Sequence, residues 1–288
     1  IIDHSASEIS TEDAAVLLEA VRKELETDTY KFYVGTSYRH LTIWDKGEVV
    51  DLTPPHDVLG QKIGQYLPKD DKLREMMKKS YDILSNHPIN VERMKRGLNP
   101  ANSLWFWGAG TRPMLTSFEE KTGHKGAMIS AVDLLKGIAV GAGMKVIEVE
   151  GANGGLDTNY EGKADAAVDV LLNGGCDFAY IHLEAPDEMG HQGSYERKVK
   201  AIENLDKRIM KRVVEKMEAA GEDFRMLVLP DHPTPVAIRT HVSDPVPYML
   251  YDSTDKKNNT WSYNEKDGEA SGNYIAEGHT IINRLFEK

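Results

Sequence analysis

The stretch EAPDEMGHQG, residues 184–193, sets a carboxylate and an imidazole four positions apart, at Asp187 and His191. A second acid–imidazole pair, Asp231-His232, follows in LPDHPTP, and a further imidazole, His241, stands in RTHVSDP. Carboxylate oxygen and imidazole nitrogen together suit Zn²⁺, Mn²⁺ and related divalent ions, whereas an all-oxygen set favours Mg²⁺ or Ca²⁺. These five candidate ligands exceed what one tetrahedral structural site takes. They fit two ions, and two ions about 3.5–4 Å apart are a recurrent device for phosphoryl transfer. Singly, each residue has a plainer reading. Asp187 could cap the following segment, His191 could be solvated, and Asp231-His232 could merely begin a turn before Pro233. The joint arrangement is what argues for metal.

The elements that must position these residues alternate. GAMISAV, MKVIEVE, DFAYIHLE, FRMLVLPD and PYMLYD read as strands. DLLKGIAVGAG, GKADAAVDVLLNGG and the long YERKVKAIENLDKRIMKRVVEKMEAAG read as helices, with a last helix from about 270 to 286. This order predicts a mostly parallel sheet with helices on both faces. MLVL and AYIHL are apolar on both faces, as strands covered on both sides require. In such sheets ligands bind beyond the carboxyl ends of the strands. Asp187 lies just past DFAYIHLE and Asp231-His232 just past RMLVLP, so both pairs should emerge from one edge. His182, within its strand beside Phe178 and Tyr180, reads as a hydrogen-bonded core histidine. Ser130, near the end of MISAV, is read as lacking an adjacent base or metal pair, and Ser194 reads as a helix cap. DSTDKKNNTWSYNEKDGEASG, 252–272, reads as an exposed excursion.

Residues 1–112 have a different texture. Ser10 and Asp13 frame a capping box for a helix over TEDAAVLLEAVRKELE. KFYVGTSYRHLTIWDKGEVVDL reads as two or three strands, with helical patterns near 70–84 and 88–97. SLWFWGAG, 103–110, reads as a buried strand entering a glycine turn, and ERMKRG, 92–97, as a solvated helix end. The formal charge of −11 argues against a general nucleic-acid binder. No apolar run approaches the ~20 residues of a membrane helix. The single cysteine, Cys176, excludes an internal disulfide, fits a reducing cytoplasm, and reads as a small core residue.

APDEMGHQG, KVKAIENLDKRI, LPDHPTP and RTHVSDPVPYMLY, with SLWFWGAGTRP, KGAMISAVDLLKGIAVGAGM and GLDTNYEGKADAA upstream, resemble the archaeal-type 2,3-bisphosphoglycerate-independent phosphoglycerate mutases. These belong to the alkaline phosphatase superfamily, and the likeness runs over nearly the whole chain. It implies an α/β fold. Residues 113–288 would form an alkaline-phosphatase-like three-layer α/β/α core with a mostly parallel sheet, incomplete at its N-terminal side. Residues 1–112 would form a smaller α/β insert, the substrate-binding lid. Relatives usually carry an Ala-Gly pair where Ala6-Ser7 stands here. Two divalent ions (Mn, Zn, Co or Mg) are implied, and no 2,3-bisphosphoglycerate. Asp187, His191 and His241 would hold the first ion, and Asp231 and His232 the second.

The resemblance further implies a nucleophilic serine and a metal-binding aspartate upstream of residue 1. No serine of this chain is therefore assigned as the nucleophile, and residues 1–288 alone are expected to show little or no turnover. The implied reaction interconverts 3-phosphoglycerate and 2-phosphoglycerate through a phosphoserine, in glycolysis and gluconeogenesis, in the cytoplasm. The expected partner is the small phosphorylated substrate, with no nucleic acid and no membrane. Arg39 in SYRHL, Arg112 in GAGTRP and Lys163 in YEGKAD are the candidates for gripping that polyanion. Three other readings share these motifs: a phosphotransferase acting on another alcohol such as homoserine, a plain phosphatase, and a non-catalytic metal-binding chain.

Overall fold

Ser10 opens the first helix, α1 (Thr11–Leu25), where its hydroxyl accepts from the Asp13 N–H at 3.2 Å. The computed structural model describes residues 1–255 and 260–287, so positions 256–259 of the expected excursion lie outside the described residues. These residues form two compact units, Ile1–Arg112 and Pro113–Lys288.

In the first unit, Leu17, Leu18, Val21 and Leu25 of α1 share one buried face, as their helical spacing requires. Strands β1 (Tyr30–Tyr33) and β2 (Leu41–Trp44) pair antiparallel. The KFYV…VVDL stretch thus supplies two strands, and its tail GEVVDL has no regular structure. Helices α2 (Asp71–Leu84) and α3 (Pro88–Lys95) follow, the first capped by Asp70 accepting from Leu73 N–H at 2.8 Å.

Two expectations fail in this unit. SLWFWGAG forms no strand. Its apolar side chains are spent on packing: Leu104 and Phe106 lie against the cluster of Ile9, Leu17, Leu18 and Leu73, and the Trp105 indole donates to Thr53 O at 2.8 Å. An apolar run without a ladder partner stays irregular. Nor is ERMKRG wholly solvated, because Arg93 is 5% exposed. Its guanidinium donates to Asn99 O at 3.2 Å and to Ala6 O, and lies 3.5 Å from Asp13. It thereby braces a turn in which Ala6, Ser7 and Glu8 are all left-handed, at φ 50°, 54° and 50°.

The second unit holds a parallel sheet in the order β4-β3-β5, with β3 at Gly126–Ile129, β4 at Lys145–Val146 and β5 at Phe178–Ile181. Every residue of β3, the central strand, is buried. A short helix, α4 (Phe118–Thr122), precedes β3, and α5 (Asp133–Gly141) and α6 (Tyr160–Leu172) make the crossovers. Only two residues of MKVIEVE pair. Strands β6 (Arg225–Val228) and β7 (Met249–Asp252) form a separate antiparallel pair among the described residues. AYIHL and MLVL are not covered on both sides, since Tyr180 is 41% and Leu229 40% exposed. Apolar composition states a demand for burial but does not choose which strand pairs with which.

Beyond β5 come α7 (Ala185–His191) and a long helical run. That run is α8 (Tyr195–Asn204), six residues of π-helix (Leu205–Met210), and α9 (Lys211–Ala220). Ser194 occupies the N-cap position of α8, but its side chain makes no cap hydrogen bond. Ile209, Val213 and Met217 pack on Tyr160, Ala164 and Val168 of α6, at roughly 1.5–3 kcal/mol per large buried side chain. Arg208 grips Glu161 at 2.6 and 2.7 Å, and Arg212 grips Asp165 at 2.6 and 2.8 Å, two bidentate pairs along the same seam. Cys176 is buried in the core, as read. The expected last helix is instead α10 (Glu265–Ala270), a 3₁₀ turn (Gly278–Thr280) and α11 (Asn283–Phe286). Gly272, at φ 69°, breaks it. No helix among the described residues is long and apolar enough to cross a membrane.

Candidate metal centre

Asp187 and His191 sit on a helix rather than a loop. Pro186, the second residue of α7, shares its first turn with Asp187 and Glu188, where fixed proline φ and negative charge both favour helix. The four-residue spacing then puts both side chains on one face, with His191 Nε2 3.3 Å from Asp187 Oδ2. The segment after β6 brings the other imidazoles. His241 Nε2 lies 3.4 Å from Asp187 Oδ1 and 3.0 Å from His191 Nε2. The rings of His232 and His241 are 3.8 Å apart between centroids. Asp187, His232 and His241 each offer a ligand atom, all within 4.8 Å of one another. Asp231 stands at the rim with its side chain 73% exposed, its Oδ2 3.5 Å from His232 Nε2.

The donor chemistry of this cluster fits a divalent cation. His191 Nδ1 is 3.0 Å from Arg239 O. A carbonyl only accepts, so Nδ1 carries the proton, and in the neutral ring Nε2 keeps its lone pair. That lone pair faces a second imidazole nitrogen and a carboxylate, which together form an N/O set of the Zn²⁺ or Mn²⁺ kind. Two close approaches permit the arrangement. A Cβ on Gly190 would stand 2.4 Å from Thr234 O, and one on Gly193 would stand 2.2 Å from Arg239 Nε.

Several residues at or near the cluster escape sequence reasoning. Thr234 is 2% exposed. Its hydroxyl bonds Asp187 Oδ1 and lies 3.3 Å from His232 Nδ1. Lys198 of α8 donates to Thr234 O at 2.6 Å. Partial burial lowers the pKa of Lys198, opposed by Asp187 and Glu265. Thr234 lies inside the quoted DHPTP motif and could have been suspected there, but nothing local marks Lys198. Ser130 does have a base beside it, since its Oγ is 3.3 Å from His182 Nδ1, across the β3–β5 pair. That oxygen also accepts from Val132 N–H at 3.0 Å, and Ser130 is only 4% exposed.

The three candidate anion-gripping residues have unlike surroundings. Lys163 is 1% exposed, and its ammonium donates to His182 O at 3.2 Å. Burial pushes its pKa below the ordinary 10.5, with Glu184 opposing. Burial likewise pushes His182 down, helped by Lys163. Arg39 and Arg112 are both exposed in the first unit, Arg39 with its guanidinium 5.2 Å from the centre of the Tyr38 ring.

Known proteins place this geometry in context. The family model of the metalloenzyme superfamily matches residues 22–279. A 2,3-bisphosphoglycerate-independent phosphoglycerate mutase of Methanosarcina barkeri is 51% identical over 261 residues, 89% of this chain and 65% of that protein. The chain thus spans about two thirds of the length of that relative. A probable 2,3-bisphosphoglycerate-independent phosphoglycerate mutase of Geobacter sulfurreducens is 43% identical, covering 99% of this chain and 72% of its own. Among solved structures, a protein of Pyrococcus horikoshii matches with TM-score 0.78 at 26% identity, over 97% of this chain and 69% of that one. The cofactor-independent phosphoglycerate mutase of Thermoplasma acidophilum matches with TM-score 0.62 at 23% identity, over 99% and 72%, a likeness of fold.

Proposed function

The chain belongs to the metalloenzyme superfamily and, within it, to the 2,3-bisphosphoglycerate-independent phosphoglycerate mutases, and from that premise we propose that it serves the interconversion of 3-phosphoglycerate and 2-phosphoglycerate in the cytoplasm. The observation that carries this reading is the convergence of Asp187, His232 and His241 within 4.8 Å, with His191 beside them. Following the family resemblance, although distance groups His232 with Asp187 and His241, we assign Asp187, His191 and His241 to one divalent ion, and Asp231 and His232 to a second. Ions held there supply positive charge to a phosphoryl group in transfer and favour the ionised form of a nearby hydroxyl.

The chain's own residues set the remaining conditions. The Asp187 and Asp231 carboxylates offset the cationic charge. Arg39 and Arg112, both exposed, are the proposed grip on the substrate's phosphate and carboxylate, in the bidentate manner that guanidinium allows. Lys163, the third candidate, reaches an anion only by giving up its bond to His182 O. The attacking group is, on this reading, a serine, and no serine of this chain is assigned that role. Its Oγ–P bond forms as the bond from phosphorus to the substrate's 3-oxygen breaks. The 2-hydroxyl of the retained glycerate then takes the phosphoryl group back and releases the serine. Water must be excluded while the phosphoserine lasts.

The test is a coupled assay of the full-length gene product, loaded with Mn²⁺ or Zn²⁺ and given 3-phosphoglycerate without 2,3-bisphosphoglycerate. Formation of 2-phosphoglycerate is expected. A protein that phosphorylates homoserine and ignores phosphoglycerate, or that only releases inorganic phosphate, would overturn the substrate assignment.

A further inference from the structure

We propose that Thr234 is the positioning residue that joins the two halves of the metal centre and sets the tautomer of His232, an inference that rests on the metal-centre reading above. Asp187 belongs to α7, and His232 to the segment after β6, so nothing in the covalent chain holds them in register. Thr234 bridges them. Its hydroxyl bonds Asp187 Oδ1 and lies 3.3 Å from His232 Nδ1, and the residue is 2% exposed. A hydroxyl has one proton, and an ionised carboxylate can only accept. The Thr234 proton therefore goes to Asp187, and its lone pair is left for a proton on His232 Nδ1. In the neutral ring this leaves Nε2 bare, 3.5 Å from Asp231 Oδ2 and ready to ligate. The chain His232 Nδ1–H to Thr234 O–H to Asp187 thus presets one donor from each side of the site.

The threonine is itself held. Lys198 donates to its carbonyl at 2.6 Å. Gly190, between the two α7 ligands, leaves room for that carbonyl, which a Cβ would meet at 2.4 Å. Such outer partners of metal ligands are typically worth about 10–100-fold in metal affinity.

The experiment titrates the metal-free protein with Zn²⁺ or Mn²⁺ by calorimetry, for the wild type, Thr234→Val and Thr234→Ser. Urea unfolding in EDTA compares their folding without metal. Valine keeps the shape and loses the hydroxyl, while serine keeps the hydroxyl. The expected result is wild-type affinity in Thr234→Ser and affinity weaker by about 10–100-fold in Thr234→Val, with Thr234→Val still folding cooperatively in EDTA. In the Co²⁺ form, the visible ligand-field bands of Thr234→Val should also shift, while those of Thr234→Ser should match the wild type. Equal affinities and spectra in all three would overturn the proposal, as would a serine variant as weak as the valine one. A wild type that binds neither metal overturns the metal-centre reading itself, an outcome separable from the others because it does not depend on the variants.

Discussion

Replacing Gly190 by alanine tests a close approach in the candidate metal centre. The new Cβ would stand 2.4 Å from Thr234 O and 3.0 Å from both Lys198 Nζ and Thr234 Cγ2. An ordinary carbon–oxygen approach is about 3.3 Å or more, so α7 and the Thr234 segment must part by about 1 Å. Two effects of opposite sign then compete. Alanine is favoured over glycine in a helix by up to about 1 kcal/mol, less in a helix as short as α7. Overpacking a buried contact costs about 1–3 kcal/mol. The clash is with a backbone carbonyl held by Lys198 at 2.6 Å, and such an atom cannot rotate away, so overpacking wins. Gly190→Ala should lose about 1 kcal/mol in urea unfolding in EDTA. The effect on metal should be larger, because α7 carries Asp187 and His191 while the displaced segment carries His232 and His241. Productive ligand distances tolerate about 0.2 Å, so calorimetric titration with Zn²⁺ should show affinity lower by at least about tenfold. A variant more stable than the wild type, with unchanged metal affinity, would show that helix propensity alone operates and that the contact is absent.

Asp187→Asn and His241→Ala should each lower the metal retained after dialysis, measured by elemental analysis, with retention near wild type in either variant counting against these ligands. Asp165 is held down to about 2 by Arg212 and then Lys216. Its folded pKa is depressed, so its contribution is present above the ordinary 3.8 and is lost as pH falls toward 2. Because the pair is more than a third exposed, Asp165→Asn should cost under about 1 kcal/mol at pH 7, and urea unfolding should show the gap to wild type closing in acid. For Lys163, burial lowers the folded pKa below 10.5. Between that lowered value and 10.5 the unfolded chain binds more protons, so this lysine's contribution makes stability rise with pH. The wild-type curve minus that of Lys163→Met should therefore slope upward over the alkaline range below pH 10.5, and a flat difference would refute the burial argument.

What could be read from the chain, and what could not, divides by the range of the interaction. Ser10 and its helix were legible because capping is a contact between near neighbours, and Ser10 meets Asp13 N–H as its spacing foretells. The helix near 70–84 and the strands around Ala127 and Ala179 were legible from periodicity and apolar runs. The DxxxH pair was legible as chemistry but not as helix, because Gly190 and Gly193 look like loop residues until their close neighbours are known. Partners far apart in sequence were beyond reach. Ser130 finds His182 52 positions away, Thr234 finds Asp187 47 away, and Arg93 finds Ala6 87 away. SLWFWGAG failed for the converse reason, since strand character needs a partner that no local pattern can guarantee.

The six π-helical residues between α8 and α9 let one rod serve two masters. Each wide turn takes up an extra residue, which rotates everything downstream by about 100° relative to an unbroken helix. Upstream, the rod offers Lys198 to the Thr234 carbonyl; downstream, it offers Arg212, Val213 and Met217 to α6. A single-residue deletion between Leu205 and Met210 would restore regular winding and set these two duties against each other. Along most of a protein's surface a one-residue change in length is absorbed quietly by a loop. Here the length of one segment is itself a specification, on a par with the identity of a side chain.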